Sequence, residues 1–296
     1  MHRAGVIGLG DMGSGLAKNL IANGFKTTGF DLDDTRMQAF IDLGGRPASS
    51  PAEVAQTSDA VFVMVMTGEQ AKSVILGDDG LVRHMTKGSA VLLTATIKPS
   101  EAREIGVAME RSGIHLIDSP VSGGFPGAQT GTLTMMASSE DATLDTYQNV
   151  MKAVSGTIHR VGTNPGDGQT VKACLQSLIG SIFSATFEAS VLAAKAGIKG
   201  EVLYNVFSTS GAGCGCTNTA LENIIDRKFE RTGSHINTMH KDLTISLDLG
   251  KELGVPLHTA ATAMQLFHAG RSKYPEGDNW TVTRVIEEIV GAELHR

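Results

Sequence analysis

One short stretch constrains the fold more than any other: Val6-Ile7-Gly8-Leu9-Gly10-Asp11-Met12-Gly13. An apolar run at residues 4–7 leads into it, and a helix-prone segment, about 12–23, leads out. In that setting G-x-G-x-x-G is the turn of a β-α unit that cradles a dinucleotide. The first glycine turns the chain tightly, the second lets a pyrophosphate approach, and the third lets helix and strand pack closely. The helix start adds exposed N–H groups and a positive dipole end for phosphates. Phe30-Asp31 closes a second expected strand, 25–31, about 20 residues on, where an acid binds the adenine ribose. Gly8, Leu9, Gly10, Asp11, Met12, Gly13 and Asp31 are therefore the expected cofactor residues. The bland alternative is a tight β-α turn with no ligand.

Asp31 also bears on which dinucleotide is expected. Its carboxylate accepts from ribose hydroxyls and repels a 2′-phosphate. Leu32 follows where NADP users often carry arginine, and Asp33 and Asp34 add negative charge. Arg36 is the one residue that could offset this, and it reads as a solvated helix residue. The expectation is NAD, with NADP second.

Further apolar runs at 61–66, 90–94 and 114–118, with later strand candidates at 133–137 and 157–161, alternate with helix-prone stretches at 35–43, 69–76, 99–111 and 142–150. Such alternation predicts an α/β fold with a mainly parallel sheet. After about residue 163 the strand signal ends. Val171, Leu175, Leu178, Ile182, Phe183, Phe187 and Val191 recur mostly at steps of three and four, which predicts one long helix over 169–196, stopped near Gly197. More helices are expected at 199–209, 218–227, 241–253, 256–269 and 281–294. The chain thus divides into an N-terminal Rossmann-type NAD-binding domain, 1–162, and an all-helical domain, 163–296, opened by a long boundary helix.

Bulk composition narrows the function classes. A net charge of −6 without a basic block argues against nucleic-acid binding. No run approaches the ~18–20 apolar residues of a membrane span, so no membrane partner is expected. Three cysteines make no disulfide framework, and the nine histidines show no paired metal spacing. The expectation is reduced thiols, a cytoplasmic protein and no metal site.

Glycine, at 35 of 296 residues, gathers in two more clusters. The first is Asp118-Ser119-Pro120-Val121-Ser122-Gly123-Gly124-Phe125-Pro126-Gly127-Ala128-Gln129-Thr130-Gly131-Thr132-Leu133. It reads as a strand-end loop with hydroxyls and free N–H groups, suited to a small anion such as a carboxylate. The alternative is a glycine-rich surface loop. This stretch resembles the substrate loop of the β-hydroxyacid dehydrogenases, the group of 3-hydroxyisobutyrate dehydrogenase and tartronate semialdehyde reductase. It matches D-x-P-V-S-G-G-x-x-G-A-x-x-G-T-L at every fixed position. The resemblance runs in order from the 8–13 turn through this loop and 166–176 to Lys241-Asp242. It implies a Rossmann-type domain plus a helical domain in a homodimer or homotetramer. It also implies that Ser122, Gly123 and Gly124 hold a substrate carboxylate.

Gly166-Asp167-Gly168-Gln169-Thr170-Val171-Lys172 resembles the family's G-x-G-x-x-x-K motif, which makes Lys172 the expected catalytic general acid/base. A solvated lysine, with a pKa near ~10.4, is a poor proton shuttle at neutral pH, and desolvation lowers that value. The alternative is a surface lysine. The family usually carries Asn three or four residues after the lysine. Here Leu175 and Gln176 stand there; leucine has no polar side-chain group, and Gln176 is the residue that can contact substrate. By the same resemblance Lys241 of the Lys241-Asp242 pair reaches the cofactor, Thr96 lies near the nicotinamide, and Met66 and Thr67 contribute mainly backbone. An exposed pair at a helix start is the alternative for Lys241-Asp242. The third knot, Gly211, Gly213 and Gly215 with Cys214 and Cys216, shapes the pocket or is a plain interhelical loop.

The activity implied is NAD-dependent oxidation of a small 3-hydroxy acid, or reduction of the matching oxo acid. The alternatives are a threonate-type polyhydroxy acid dehydrogenase, a non-catalytic dinucleotide-binding module, and an imine reductase on the same fold.

Overall fold

The computed structural model describes residues 3–296. Two compact units divide the chain, Met1–Lys172 and Ala173–Arg296. The pattern-based boundary, 162/163, marks the end of the last strand. Compactness instead keeps the next turns, through Lys172, with the first unit.

In the first unit the strands are β1 (Arg3–Ile7), β2 (Lys26–Phe30), β3 (Arg46–Pro47), β4 (Ala60–Val63), β5 (Ala90–Leu93), β6 (His115–Asp118), β7 (Val121–Ser122), β8 (Leu133–Ser138) and β9 (Ser155–Gly162). They form one sheet in the order β3-β2-β1-β4-β5-β6-β8-β7, with β9 beside β8. From β3 to β6 all pairings are parallel, while β6–β8 and β7–β8 are antiparallel. The order reverses between β1 and β4, and open α/β sheets bind ligands at the carboxyl ends of strands at such a point. The interleaved helices are α1 (Asp11–Ala22), α2 (Asp34–Asp42), α3 (Pro51–Thr57), α4 (Gly68–Leu76), α5 (Leu81–His84), α6 (Pro99–Met109), α7 (Gly124–Thr130) and α8 (Asp141–Lys152).

Adjacent strand residues are buried on opposite faces. Val6, Phe62 and Leu92 join a core with Leu16, Leu20 and Tyr147. Ile7, Val63 and Leu93 join another with Val54, Ile75 and Ile105. Both faces are covered, so these strands read as continuous apolar runs rather than alternating ones.

Five elements, β3, α3, α5, β7 and α7, go beyond expectation. Sequence alone showed no signal for α3, but Ser50 caps it and Pro51 occupies its first position. The 118–133 stretch is not an open loop throughout. It makes β7 and then α7, entered through Gly123 at φ 129°. A Cβ at Gly15 of α1 would lie 2.6 Å from the Ala128 carbonyl, so glycine there lets α1 and α7 touch backbone to backbone. Asn19 Nδ2 donates to that carbonyl at 2.8 Å.

The second unit is helical: most of α9 (Asp167–Lys195), then α10 (Gly200–Thr209), α11 (Gly215–Ile225), α12 (Ile236–Leu253), α13 (His258–Lys273) and α14 (Thr281–Val290). Phe183, Phe187, Leu221, Phe267 and Trp280 center its core. Arg227 makes a two-pronged bond to the buried Glu287 carboxylate, at 2.6 and 2.9 Å. By length and mean composition alone α9 could cross a membrane, although it holds no unbroken apolar run of that length. Its Ile, Leu, Phe, Val and Ala residues raise its mean hydropathy, while Gly180, Ser181, Ser184 and Thr186 interrupt them so that no continuous apolar run forms. Its side chains Phe183, Phe187 and Ala193 are instead core of the second unit.

Candidate active site

The 8–13 turn leaves β1 and enters α1 as the spacing predicts. Two of its glycines are demanded by the protein itself. Gly8 has φ +88°, with a Cβ position 2.2 Å from the Met64 carbonyl; a Cβ at Gly13 would lie 1.7 Å from the Gly8 carbonyl. Gly10 is different: its nearest neighbor would be the Arg36 guanidinium at 3.7 Å, an ordinary contact. The fold does not need glycine there, and a phosphate approaching the start of α1 does. Gly10 also caps α1 with no side-chain bond. A cavity of about 230 Å³ opens beside it, lined by Leu9, Asp11 and Ser14 on one side and Thr35, Arg36 and Phe40 on the other. These residues fit a dinucleotide. A larger cavity, about 620 Å³, lies among Arg3, Lys26 and Arg46 at the amino ends of strands, the wrong edge of such a sheet for this ligand.

Asp31 sits at the carboxyl end of β2. Its carboxylate accepts from Leu9 N at 2.7 Å and Asp33 N at 3.0 Å. Arg36 is 3.5 Å from it. The arginine is thus not merely a solvated helix residue but part of the rim around Gly10 and Asp31. Met66 and Thr67 follow β4. Their N–H groups both donate to Gln70 Oε1, at 2.9 and 3.2 Å, and Thr67 caps α4 through its hydroxyl. The Thr67 carbonyl accepts from Ala71 N at 3.0 Å, so the Met66 carbonyl and its exposed side chain remain for a ligand. Thr96 is half-buried in the segment between β5 and α6.

Lys172 lies in the second turn of α9 and is only 6 % exposed. That excludes a solvated surface lysine. The two glycines of its motif are explained by packing rather than by ligand. A Cβ at Gly168 would lie 2.6 Å from the Met136 carbonyl and 2.7 Å from the Asp118 carbonyl. Gly166, at φ +97°, would meet the Pro99 carbonyl at 2.8 Å. Glycine lets the helix start sit directly on the ends of β6 and β8.

Asp118, the first residue of the substrate-loop motif, is fully buried at the end of β6. It accepts from Gly166 N at 2.8 Å, Gln169 N at 3.3 Å and Gln169 Nε2 at 2.8 Å. Burial pushes its carboxyl from 3.8 up to about 6 against the opposing pull of these donors. The folded value exceeds the unfolded one, so the folded chain holds more protons between about pH 4 and 6. The resulting stability is full below pH 4 and is lost as pH rises through about 6. Two pKa units correspond to roughly 3 kcal/mol. Denaturant titrations should show wild type losing about that much, from pH 4 to 7, relative to Asp118→Asn; parallel curves would refute the assignment.

In the second unit, Gln176, 6 % exposed, donates through Nε2 to Asp242. Lys241 Nζ stands 2.9 Å from Asp242 Oδ1. Because α12 begins at Ile236, this pair lies in its second turn and Asp242 is buried, so the exposed helix-start alternative fails. Sequence placed the helix start five residues late because Ile236 and Met239 are separated from the later apolar positions by His240-Lys241-Asp242. The third glycine knot is a turn between α10 and α11. Cys214 caps α11 by accepting from Thr217 N at 3.5 Å, and the Thr217 hydroxyl, with that backbone bond second, lowers its thiol pKa. The thiols of Cys174, Cys214 and Cys216 are free. Among the described residues no cluster of three His, Cys, Asp or Glu could hold a metal.

With fold and site in place, comparison with known proteins is direct. Residues 3–162 match the model of the NAD binding domain of 6-phosphogluconate dehydrogenase. Residues 166–286 match that of the NAD-binding domain of NADP-dependent 3-hydroxyisobutyrate dehydrogenase. The protein is a nicotinamide dinucleotide-binding oxidoreductase, and the chain belongs to the β-hydroxyacid dehydrogenase family. It is 33% identical to L-threonate dehydrogenase of Escherichia coli O6:H1 (strain CFT073), over 96% of this chain and 95% of that protein. It is 30% identical to 2-(hydroxymethyl)glutarate dehydrogenase of Eubacterium barkeri, over 99% and 97%. The crystal structure of 3-hydroxyisobutyrate dehydrogenase from Salmonella typhimurium superposes with a TM-score of 0.88 at 32% identity, covering 96% of this chain and all of that one.

Proposed function

We propose that this protein is an NAD-dependent dehydrogenase of a small 3-hydroxy acid, with Lys172 as the proton carrier. The observation that carries the reading is the burial of Lys172 next to the start of α9, directly on the strand ends that lead into Ser122, Gly123 and Gly124. The bound dinucleotide supplies the hydride acceptor. Ser122 and the Gly123 and Gly124 backbone hold the substrate carboxylate. Lys172 accepts the hydroxyl proton during oxidation and returns one to the alkoxide during reduction. Gln176 is carried as a substrate ligand and Lys241 as a cofactor ligand. Gly8, Leu9, Gly10, Asp11, Met12 and Gly13 serve the pyrophosphate; Met66, Thr67 and Thr96 serve the nicotinamide half.

NAD is favored over NADP because the Asp31 carboxylate already accepts Leu9 N and would repel a 2′-phosphate. Arg36 neutralizes only part of that charge, from a half-exposed position. Among acids, a polyhydroxylated substrate of the threonate type is the second reading. It is favored by Gln176, whose amide replaces the usual Asn and brings polar capacity that Leu175 lacks, and by the threonate dehydrogenase relatives. The free thiols fit a cytoplasmic protein, and the family fits a homodimer or homotetramer.

A panel of 3-hydroxy acids including threonate, followed by NADH formation, tests the reading. Turnover of at least one acid, with kcat/KM for NAD about tenfold above NADP, is expected. Tight NADH binding with no turnover of any acid would favor a non-catalytic dinucleotide-binding module.

A further inference from the structure

Gln169 is 1 % exposed, yet its amide has a complete set of partners. Nε2 donates to Asp118 Oδ1 at 2.8 Å and to the Ala95 carbonyl at 3.0 Å, and Oε1 accepts from Ile97 N at 3.0 Å. The other Asp118 oxygen accepts from Gly166 N and Gln169 N. This one side chain therefore ties three separate stretches: the segment after β5 that carries Thr96, the end of β6 that leads to Ser122, and the first turn of α9. Lys172 follows Gln169 by three residues, on a shared helix face. Only an amide in this one orientation suits the set. It must donate toward two acceptors and accept from one N–H. A carboxylate would face the Asp118 carboxylate and the Ala95 carbonyl with acceptors on both sides. An alkyl chain would leave the Ile97 N–H buried without a partner, a cost that makes such networks all-or-none.

We propose that Gln169 and Asp118 form a positioning latch, which sets Lys172 against the Thr96 and Ser122 segments without touching substrate or cofactor. This rests on the reading of Lys172 as the proton carrier.

Two variants test it, each measured as a ratio to wild type. In Gln169→Glu the introduced carboxyl can donate only while protonated. Its relative kcat should be highest at about pH 5.5, where the protonated carboxyl restores one of the two donated bonds, and fall at least tenfold further by about pH 8, while NADH affinity stays within threefold. The charged groups nearby are Asp118, Asp167, Lys172, Lys98 beside Ile97, and Arg103 beside Gly166. Except for the introduced carboxyl, all stand in both proteins; Asp118, itself raised to about 6, titrates together with that carboxyl, so the ratio reads the Gln169–Asp118 pair as one unit. Gln169→Met should lose at least tenfold in kcat at every pH. A flat ratio for Gln169→Glu, or a kcat within threefold of wild type for Gln169→Met, would overturn the latch. A readout independent of turnover is acetylation of lysines followed by mass spectrometry. The Lys172 rate should change at least fivefold in Gln169→Met while the Lys241 rate does not, and unchanged Lys172 labeling overturns the proposal. If wild type oxidizes no acid, the functional reading falls while labeling still decides the latch. If Gln169→Met does not fold, Gln169→Glu labeled at pH 5.5 and pH 8 gives the same comparison.

Discussion

Lys172→Ala lowers kcat for hydroxy-acid oxidation by about a thousandfold, within the range that one positioned general acid/base supplies. NADH affinity is retained, because the pyrophosphate turn is built from residues 8–13 and Asp31, and no part of it involves α9. The lysine is nearly buried, so truncation leaves a small cavity at the site rather than a solvated gap. Small primary amines added at high concentration should restore part of the rate, which a purely structural lysine would not permit. Near-normal turnover by the variant, or loss of NADH binding along with activity, would remove Lys172 from the mechanism.

The second large effect separates two glycines three residues apart. Gly13→Ala forces a Cβ into the Gly8 carbonyl, 1.7 Å away, a backbone group with no flexible end to yield. It should destabilize the protein by roughly 3 kcal/mol, as overpacking does, and lower Tm by about 5–10 °C. Gly10→Ala places its Cβ 3.7 Å from the Arg36 guanidinium, which the fold accepts. Its Tm should stay within about 2 °C of wild type. Its affinity for NADH should fall by at least about thirtyfold, near 2 kcal/mol, because the methyl occupies the phosphate approach. Equal thermal behavior of the two variants, or unimpaired NADH binding by Gly10→Ala, would contradict this division of labor. Calorimetry and fluorescence titration check both.

Much of the fold was legible because the central strands are short apolar runs bounded by turn signals, and β1, β4, β5 and β6 stand close to where those runs lie. What escaped had weak local signals. The seven residues of α7 include Gly124, Pro126 and Gly127, poor helix formers, and tertiary contact with α1 decides their conformation. Within the site, the turn at 8–13 and Lys172 stood out because their motifs carry chemistry. Asp118 and Gln169 sat inside the same motifs without a role, since only three dimensions bring residue 97, residue 118 and residue 169 to one amide. Likewise the sequence shows Gly166 and Gly168 only as the fixed glycines ahead of Lys172, and their contacts show them to be packing glycines.

Because α9 begins in the first unit and continues through the second, the chain has no clean seam at its last strand. A fragment ending at residue 162 would strip Asp118 of all its donors from Gly166 and Gln169 and leave a carboxylate facing unpaired backbone. Chimeras that exchange the helical half between relatives should therefore be joined after Lys172, inside the helix, where a crossover leaves the buried amide and its partners on one parent.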